Sequence, residues 1–514
     1  MRKPEKWAWL ALGCLPFSVF AVELTKYFPA VDERSFYFPV KDAYYLAHTG
    51  IPKRRDHEGG YAIAVDEKER VFVAGQDDGP HGWTFNIWCI DTKTRKVDLR
   101  FGNDGMFAFV PEGLVVLKSN ANSIVIDDKG RVVVSGMLVI GDPKHPGKPK
   151  FSTFVVVRLT KEGQLDTSFN DQGYFMHEGS DQTGHHAHEV TLDAKGRILI
   201  AGLLAESEFN QRVNNPVMTR NDAAVWRLDA NGRPDHSFGQ GGVAVIAPTG
   251  ANPFSNAETL VVDKRGRIVV AGHVIRQRDE KFVLQDQHMA VWRLDPDGKL
   301  DRSFGRDGLL THQPVEADEF AYRLTTVEDI ALDKRQRIIA AGHHLRGPSG
   351  PTGTIKNPVV QSLMVWRIGD DGRLDSSFGQ AGVVRHNPPL KPGLTEQDTA
   401  DRTARGKALV IDTKGRILIA GDSSFFGQKG NAYFPPAITL WRLADTGRLD
   451  NTFNGRGYLE HDFLPRLDDN GIRSILVSGL ALDGKKRLYV GGSAWSWVRG
   501  AVDHYDMLLY SKEL

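Results

Sequence analysis

Cysteine is almost missing from this chain: Cys14 and Cys89 are the two in 514 residues. A chain so poor in thiols is not held together by disulfides. An excess of charge is missing too, because 65 Lys and Arg nearly cancel 64 Asp and Glu. That balance leaves no basic field to gather nucleic acid, so no nucleic-acid partner is expected. Several catalytic signatures are lacking: there is no G-x-S-x-G elbow, no H-E-x-x-H and no Walker A loop. The glycine-rich phrases end strands without opening a helix, which excludes a dinucleotide site. Past the opening residues, no apolar run is long enough to span a bilayer.

The opening residues themselves read as a targeting signal, residues 1–21. Arg2, Lys3 and Lys6 precede the apolar WAWLALGCLPFSVFAV, and Val19 and Ala21 suit a cleavage site before Val22. A lipoprotein reading would use Cys14 after Ala11-Leu12-Gly13, but the apolar run continues past that cysteine. The expected product is exported, periplasmic or secreted, monomeric, and not inserted in a membrane. Cys89, inside the apolar FNIWCI, is expected to be a buried structural thiol.

Repetition dominates the remainder. One phrase returns seven times: VDEKERVFVAG (65–75), IDDKGRVVVSG (126–136), LDAKGRILIAG (192–202), VDKRGRIVVAG (262–272), LDKRQRIIAAG (332–342), IDTKGRILIAG (411–421) and LDGKKRLYVGG (482–492). A second phrase, of which LDRSFGRDG is one copy, follows the first six, and runs such as AVWRL lie between the two. Each unit, about 60–80 residues long, reads as a four-stranded antiparallel meander. Strand a leads through a D-x-K-G turn into strand b, AVWRL is strand c, and strand d follows the Phe-Gly phrase. Stacking such sheets radially predicts an all-β, seven-bladed β-propeller over 57–514; a solenoid is the competitor. The seventh unit stops after strand c at MLLYSKEL, while VDERSFYFPV (31–40) resembles the missing phrase. The N-terminal segment 22–56 is therefore expected to supply the strand that completes the last blade.

These paired phrases resemble the delta-60 repeat family, with D-x-x-G-x-I-x-x-A-G and D-x-x-G-x-L-D-x-S-F-G-x-x-G in order. The resemblance covers nearly all of 57–514. It implies an exported bacterial β-propeller similar to NHL-type propellers, and no particular activity.

Comparing copies separates structure from function. Asp295 and Asp297 look like metal ligands, yet the equivalents of Asp295 include Thr160, Gly369 and Ala444, so the loop reads as a turn. Asp98, Asp166, Asp235, Asp301, Asp375 and Asp450 occupy one position in all six copies, which predicts a structural job such as accepting turn N–H groups. Trp88, Trp226, Trp292, Trp366 and Trp441 likewise read as packing between blades.

Function is expected where the units differ. The a–b and c–d turns are short, whereas the b–c and d–a connections are long and dissimilar, so one face is elaborated. Five residues before the turn Asp, the units offer Tyr61, Asn122, His188, Glu258, Glu328, Lys407 and Ser478. Just after strand b come Gln76, Met137, Leu203, His273, His343, Asp422 and Ser493. The candidate binding residues are therefore Glu258, Glu328, His273, His343, His188 and Lys407, at the mouth of a central channel. Three readings stand side by side: a divalent-metal site on Glu258, Glu328, His273 and His343 serving a hydrolase- or lactonase-like reaction; metal-free acid–base chemistry; or a polar mouth binding a protein or a small-molecule or carbohydrate ligand. His185, His186 and His188 (HHAH) read as a flexible loop that takes up metal adventitiously. The binding module is the favoured reading, with the metal-dependent enzyme as its alternative.

Overall fold

The computed structural model describes residues 30–32, 35–40, 43–48, 59–79, 82–177, 183–210, 215–246, 254–278, 284–315, 322–347, 360–387, 399–427, 433–461, 471–484, 486–498 and 504–514. The expected targeting signal and much of the long b–c and d–a connections lie outside these residues. Among the described residues every regular element is a strand.

The a–b turn shows how local sequence sets the unit. In unit four, strand a (Ser255–Val262) meets strand b (Ile268–Arg278) through Asp263. One Asp263 carboxylate oxygen accepts the N–H groups of Arg265 and Arg267 at 2.8 and 2.9 Å, and the other accepts Nε of Arg267 at 2.6 Å. Gly266 adopts φ +77°, the left-handed backbone that the turn exit requires. Where the glycine is absent, Glu69 and Gln336 adopt φ 65° and 63° at the same place, so a non-glycine residue is tolerated there.

The second phrase joins one unit to the next. Arg293 on strand c (Leu284–Leu294) donates Nε to Asp301 at 2.8 Å, lies 4.7 Å over the Phe304 ring, and donates to the Asp370 carbonyl of the next unit at 2.6 Å. Asp301 also accepts the N–H and hydroxyl of Ser303 at 3.0 and 2.6 Å, the structural job expected of it. Arg158 and Arg227 repeat the arrangement, each reaching a carbonyl of the following unit. Gly372 of the next unit sits on Phe304, and a Cβ there would come 2.8 Å from the ring and 2.2 Å from the Gly305 nitrogen. The tryptophans are buried between units as expected: Trp366 donates Nε1 to His312 of the preceding unit at 3.2 Å, and Trp441 to His386 at 3.1 Å. Cys89 is fully buried, and burial pushes its thiol up to about 12.

Seven first strands pack side by side: Gly59–Val65, Val116–Ile126, Thr183–Leu192, Ser255–Val262, Tyr322–Leu332, Thr399–Ile411 and Gly471–Leu482. Each touches the next, and the last touches the first, where the Ser478 hydroxyl donates to the Gly60 carbonyl at 2.6 Å. In the last unit the C-terminal strand His504–Glu513 pairs antiparallel with the N-terminal Ala43–His48. Ser35–Val40, which contains the SF phrase expected to close the ring, lies one strand further out and pairs with Ala43–His48. The strand paired with His504–Glu513 is thus the one after that phrase, as strand d follows the Phe-Gly phrase elsewhere.

Candidate functional site

Every first strand carries a register shift, always at the same point. The unpaired residue is Tyr61, Asn122, His188, Glu258, Glu328, Lys407 or Ser478. These are the seven positions read from the sequence as the mouth set, and the physical cause is a β-bulge. Opposite each bulge is the glycine that ends the first phrase. A Cβ on Gly272 would lie 2.2 Å from the Asn256 carbonyl oxygen, and on Gly342 2.0 Å from that of Thr326. The other five glycines face the equivalent oxygen at 1.7 to 2.2 Å. The repeated glycine lets the two backbones close up, and the bulge re-aims one side chain per unit.

Four successive units turn an ionisable side chain into this position. His188 Nδ1 lies 3.1 Å from Glu258 Oε2 and 3.0 Å from the Ala257 carbonyl. His273 Nδ1 lies 3.5 Å from Glu258 Oε1. In the next unit His343 Nδ1 is 3.3 Å from Glu328 Oε1, and Lys407 donates to the same oxygen at 2.8 Å. The six candidates therefore fall into two carboxylate-centred groups, His188–Glu258–His273 and His343–Glu328–Lys407. Among the described residues no three or more His, Cys, Asp or Glu are arranged to hold a metal ion.

Their protonation follows from burial set against partners. Burial opposes charge on His188, but the Glu258 carboxylate outweighs it and raises the imidazole pKa. Burial likewise works against ionised Glu258, yet His188 and His273 bring it down to about 2. Burial lowers His273, with Glu258 partly opposing it; it lowers His343 much further, helped by Lys407 and Arg405. Glu328 is raised by burial, against the pull of Lys407. The set combines a firmly ionised carboxylate with two imidazoles held neutral, a distribution able to donate and accept hydrogen bonds at fixed points.

The HHAH stretch differs from expectation. It lies in a strand, Thr183–Leu192, because Ala187 is buried and the segment is laddered to strand b. Its three histidines part company: His185 meets His177 (Nδ1 to Nδ1 2.8 Å), His186 meets the Ser152 hydroxyl at 3.3 Å, and His188 turns to Glu258. Burial holds His185 and His186 down at about 4.

The sequence reading did not single out Glu189, Asp329 or Arg405. The position after each bulge is Ala62, Ser123, Glu189, Thr259, Asp329, Ala408 or Gly479. Five of these are small or hydroxylic and two are acids, which aligning the units on the turn Asp displays. Burial raises Glu189 to about 7 and Asp329 well above the carboxylate range, with Glu189 adding to the effect on Asp329. Arg405 and Asp422 form a further pair, with Nε to Oδ2 at 2.9 Å.

Comparison with known proteins bears on the fold. A domain of unknown function, DUF5122, described as a β-propeller, matches residues 266–304. No curated protein sequence matches the chain. Among solved structures, the polysaccharide lyase Uly1 is similar at 10% identity, covering 88% of this chain and 90% of its own, with a TM-score of 0.43. Sqt1 of Chaetomium thermophilum is similar at 11% identity over 87% of this chain and 97% of its own, with a TM-score of 0.34. A thermostable family-43 glycoside hydrolase follows at 10% identity, 68% and 95% coverage, and a TM-score of 0.28. Likenesses this remote say nothing of ligand or chemistry. The strand-only architecture and the matched repeat together make this a protein of β-propeller fold.

Proposed function

We propose that the chain is an exported, monomeric, seven-bladed β-propeller of four-stranded blades that binds a small polar ligand of carbohydrate type at its channel mouth. Seven contacting first strands and the pairing of Ala43–His48 with the last strand support the blade count. One observation carries the binding reading. At a position shared by all seven units, units three to six present His188, Glu258, Glu328 and Lys407, paired as His188–Glu258 at 3.1 Å and Glu328–Lys407 at 2.8 Å, while units seven, one and two present Ser478, Tyr61 and Asn122. A polyol needs donors and acceptors held at fixed points, and this arrangement supplies both.

The test is calorimetric titration of the folded chain against a panel of neutral and acidic oligosaccharides, beside Glu258→Gln and Lys407→Met. Saturable binding weakened at least about tenfold in both variants, about 1.4 kcal/mol, is expected. Binding that neither variant changes, or none across the panel, overturns the reading. A metal-dependent hydrolase is the second reading, favoured by the two imidazoles held neutral at His273 and His343, the form in which histidine ligates metal. Stoichiometric metal in the purified chain, lost in a Glu258→Gln/Glu328→Gln variant, would put that reading first.

A further inference from the structure

Two departures from the repeat meet at one point, in the seam between units two and three. In units two, four and five the end of strand d carries a histidine opposite strand c: His177 on Phe154, His312 opposite Met289 and His386 opposite Leu363. His312 and His386 each accept the Nε1–H of the next unit's tryptophan, at 3.2 and 3.1 Å. His177 does not do so for Trp226. It turns its Nδ1 to His185, and Trp226 Nε1, on a residue 2% exposed, has no acceptor among the described residues.

The second departure is His185 itself. It stands three residues before the bulge, where units two and four carry Ser119 and Ser255. Those hydroxyls accept the Phe85 and Ala223 N–H groups of the preceding unit at 2.8 and 2.9 Å. Unit three gives up the hydroxyl and sets an imidazole against the preceding unit. A buried donor left without an acceptor is costly and uncommon, so the fold alone does not account for the exchange.

The geometry of the pair says what it suits. The two Nδ1 atoms are 2.8 Å apart, and the rings meet edge to face with centroids at 4.5 Å. An ion bonded to both nitrogens at about 2.0–2.1 Å would hold them at about 85–90°. A tetrahedral ion needs such nitrogens ~3.3 Å apart. Square-planar or tetragonal coordination, the habit of Cu²⁺ and Ni²⁺, takes them at a right angle. Both histidines are half-buried, and burial holds His185 at about 4, so its ring is neutral, as a ligand must be. His186 is turned elsewhere, to the Ser152 hydroxyl.

We infer that His177 and His185 form a two-imidazole site for Cu²⁺, bound through both Nδ1 atoms with water in the remaining positions. On binding, the ring that donated its Nδ1–H carries that proton on Nε2 instead. The site lies outside the mouth set, and its failure would leave the proposed ligand reading untouched.

The test uses the full, untagged chain after chelator treatment, with Cu²⁺ as the probe at neutral pH. We expect about one equivalent at micromolar affinity by calorimetry, and an electron paramagnetic resonance spectrum split by two nitrogens. Cu²⁺ should bind more tightly than Ni²⁺, and Ni²⁺ more tightly than Zn²⁺. His185→Ser and His177→Ile copy residues that other units carry at these places, Ser119 and Ile246, so both should fold. Each should weaken Cu²⁺ binding at least about tenfold. Millimolar affinity, or a spectrum without two-nitrogen splitting, overturns the site. So does Cu²⁺ binding that either folded variant leaves unchanged. Zn²⁺ bound as tightly as Cu²⁺ would overturn the right-angle geometry on which the assignment stands.

Discussion

Arg227, Arg293 and Arg367 do one thing in three successive units, whereas His188, Glu258 and Glu328, in three successive units too, do different things. Each arginine bonds its own Asp, covers its own Phe and reaches a carbonyl of the next unit. The mouth residues share a bulge and little else. The turn end is a joint repeated until the ring is full, and repetition there marks a mechanical requirement. The mouth end reuses one backbone device to present a different group each time, so the fold does not require any one of those groups.

The contrast breaks most visibly at the joint. Arg367→Ala removes a side chain only 4% exposed and leaves Asp375, which burial opposes but Ser377 and Arg367 hold down at about 2, with Arg337 at 3.1 Å as its remaining guanidinium. A loss of about 3–5 kcal/mol is expected by denaturant melting, the usual result of breaking a buried pair. Less than about 1 kcal/mol would mean that the joint is redundant.

The bulge comes next. Gly342→Ala drives a Cβ to 2.0 Å from the Thr326 oxygen, whereas Gly415→Ala meets nothing within 4 Å and strains only a φ of +80°. About 2–3 kcal/mol is expected for the first and about 1 for the second. Equal melting temperatures would show that the glycine does not fix the bulge.

At the mouth the effect is smaller and depends on pH. Glu258 titrates near 2 when folded against an ordinary 4.5. The unfolded chain therefore takes up its proton first as pH falls. The stabilisation is fully present above about 4.5 and lost towards 2. Glu258→Gln should flatten that acid limb by about 1–2 kcal/mol, and an unchanged limb would refute the ion pair. Smallest of all, Trp366→Phe removes the donor to His312 and keeps most of the packing. About 1 kcal/mol is expected, and a loss near 3 would place the stability in ring volume instead.

The same contrast governs what was legible in the sequence. The copies of Asp301 and of the tryptophans could be read as structural because the phrase repeats them. The mouth positions could be located by counting back from the turn Asp, for the bulge falls at a constant distance from it. Their partners could not. That Lys407 turns to Glu328 while Asp422 takes Arg405 depends on side-chain direction across units, which no spacing within one unit encodes. Glu189 and Asp329 sit one residue past the bulge, where the register shift breaks the strict alternation of faces that a sequence reading assumes. HHAH suggested a loop because four polar or small residues in a row resemble one, but burial of Ala187 anchors them in a strand.

The pairing of Ala43–His48 with His504–Glu513 has a consequence for how the protein comes into being. A chain made from its N-terminus holds its first strands without their partner until nearly everything else has been synthesised. Every other neighbour in the ring can dock as it emerges, at a modest cost in loop closure. This seam joins strands more than 450 residues apart in the sequence (His48 to His504), so an interrupted product keeps an open sheet edge ready to pair with another chain. The seam thus ties the pairing of Ala43–His48 to the late strand His504–Glu513.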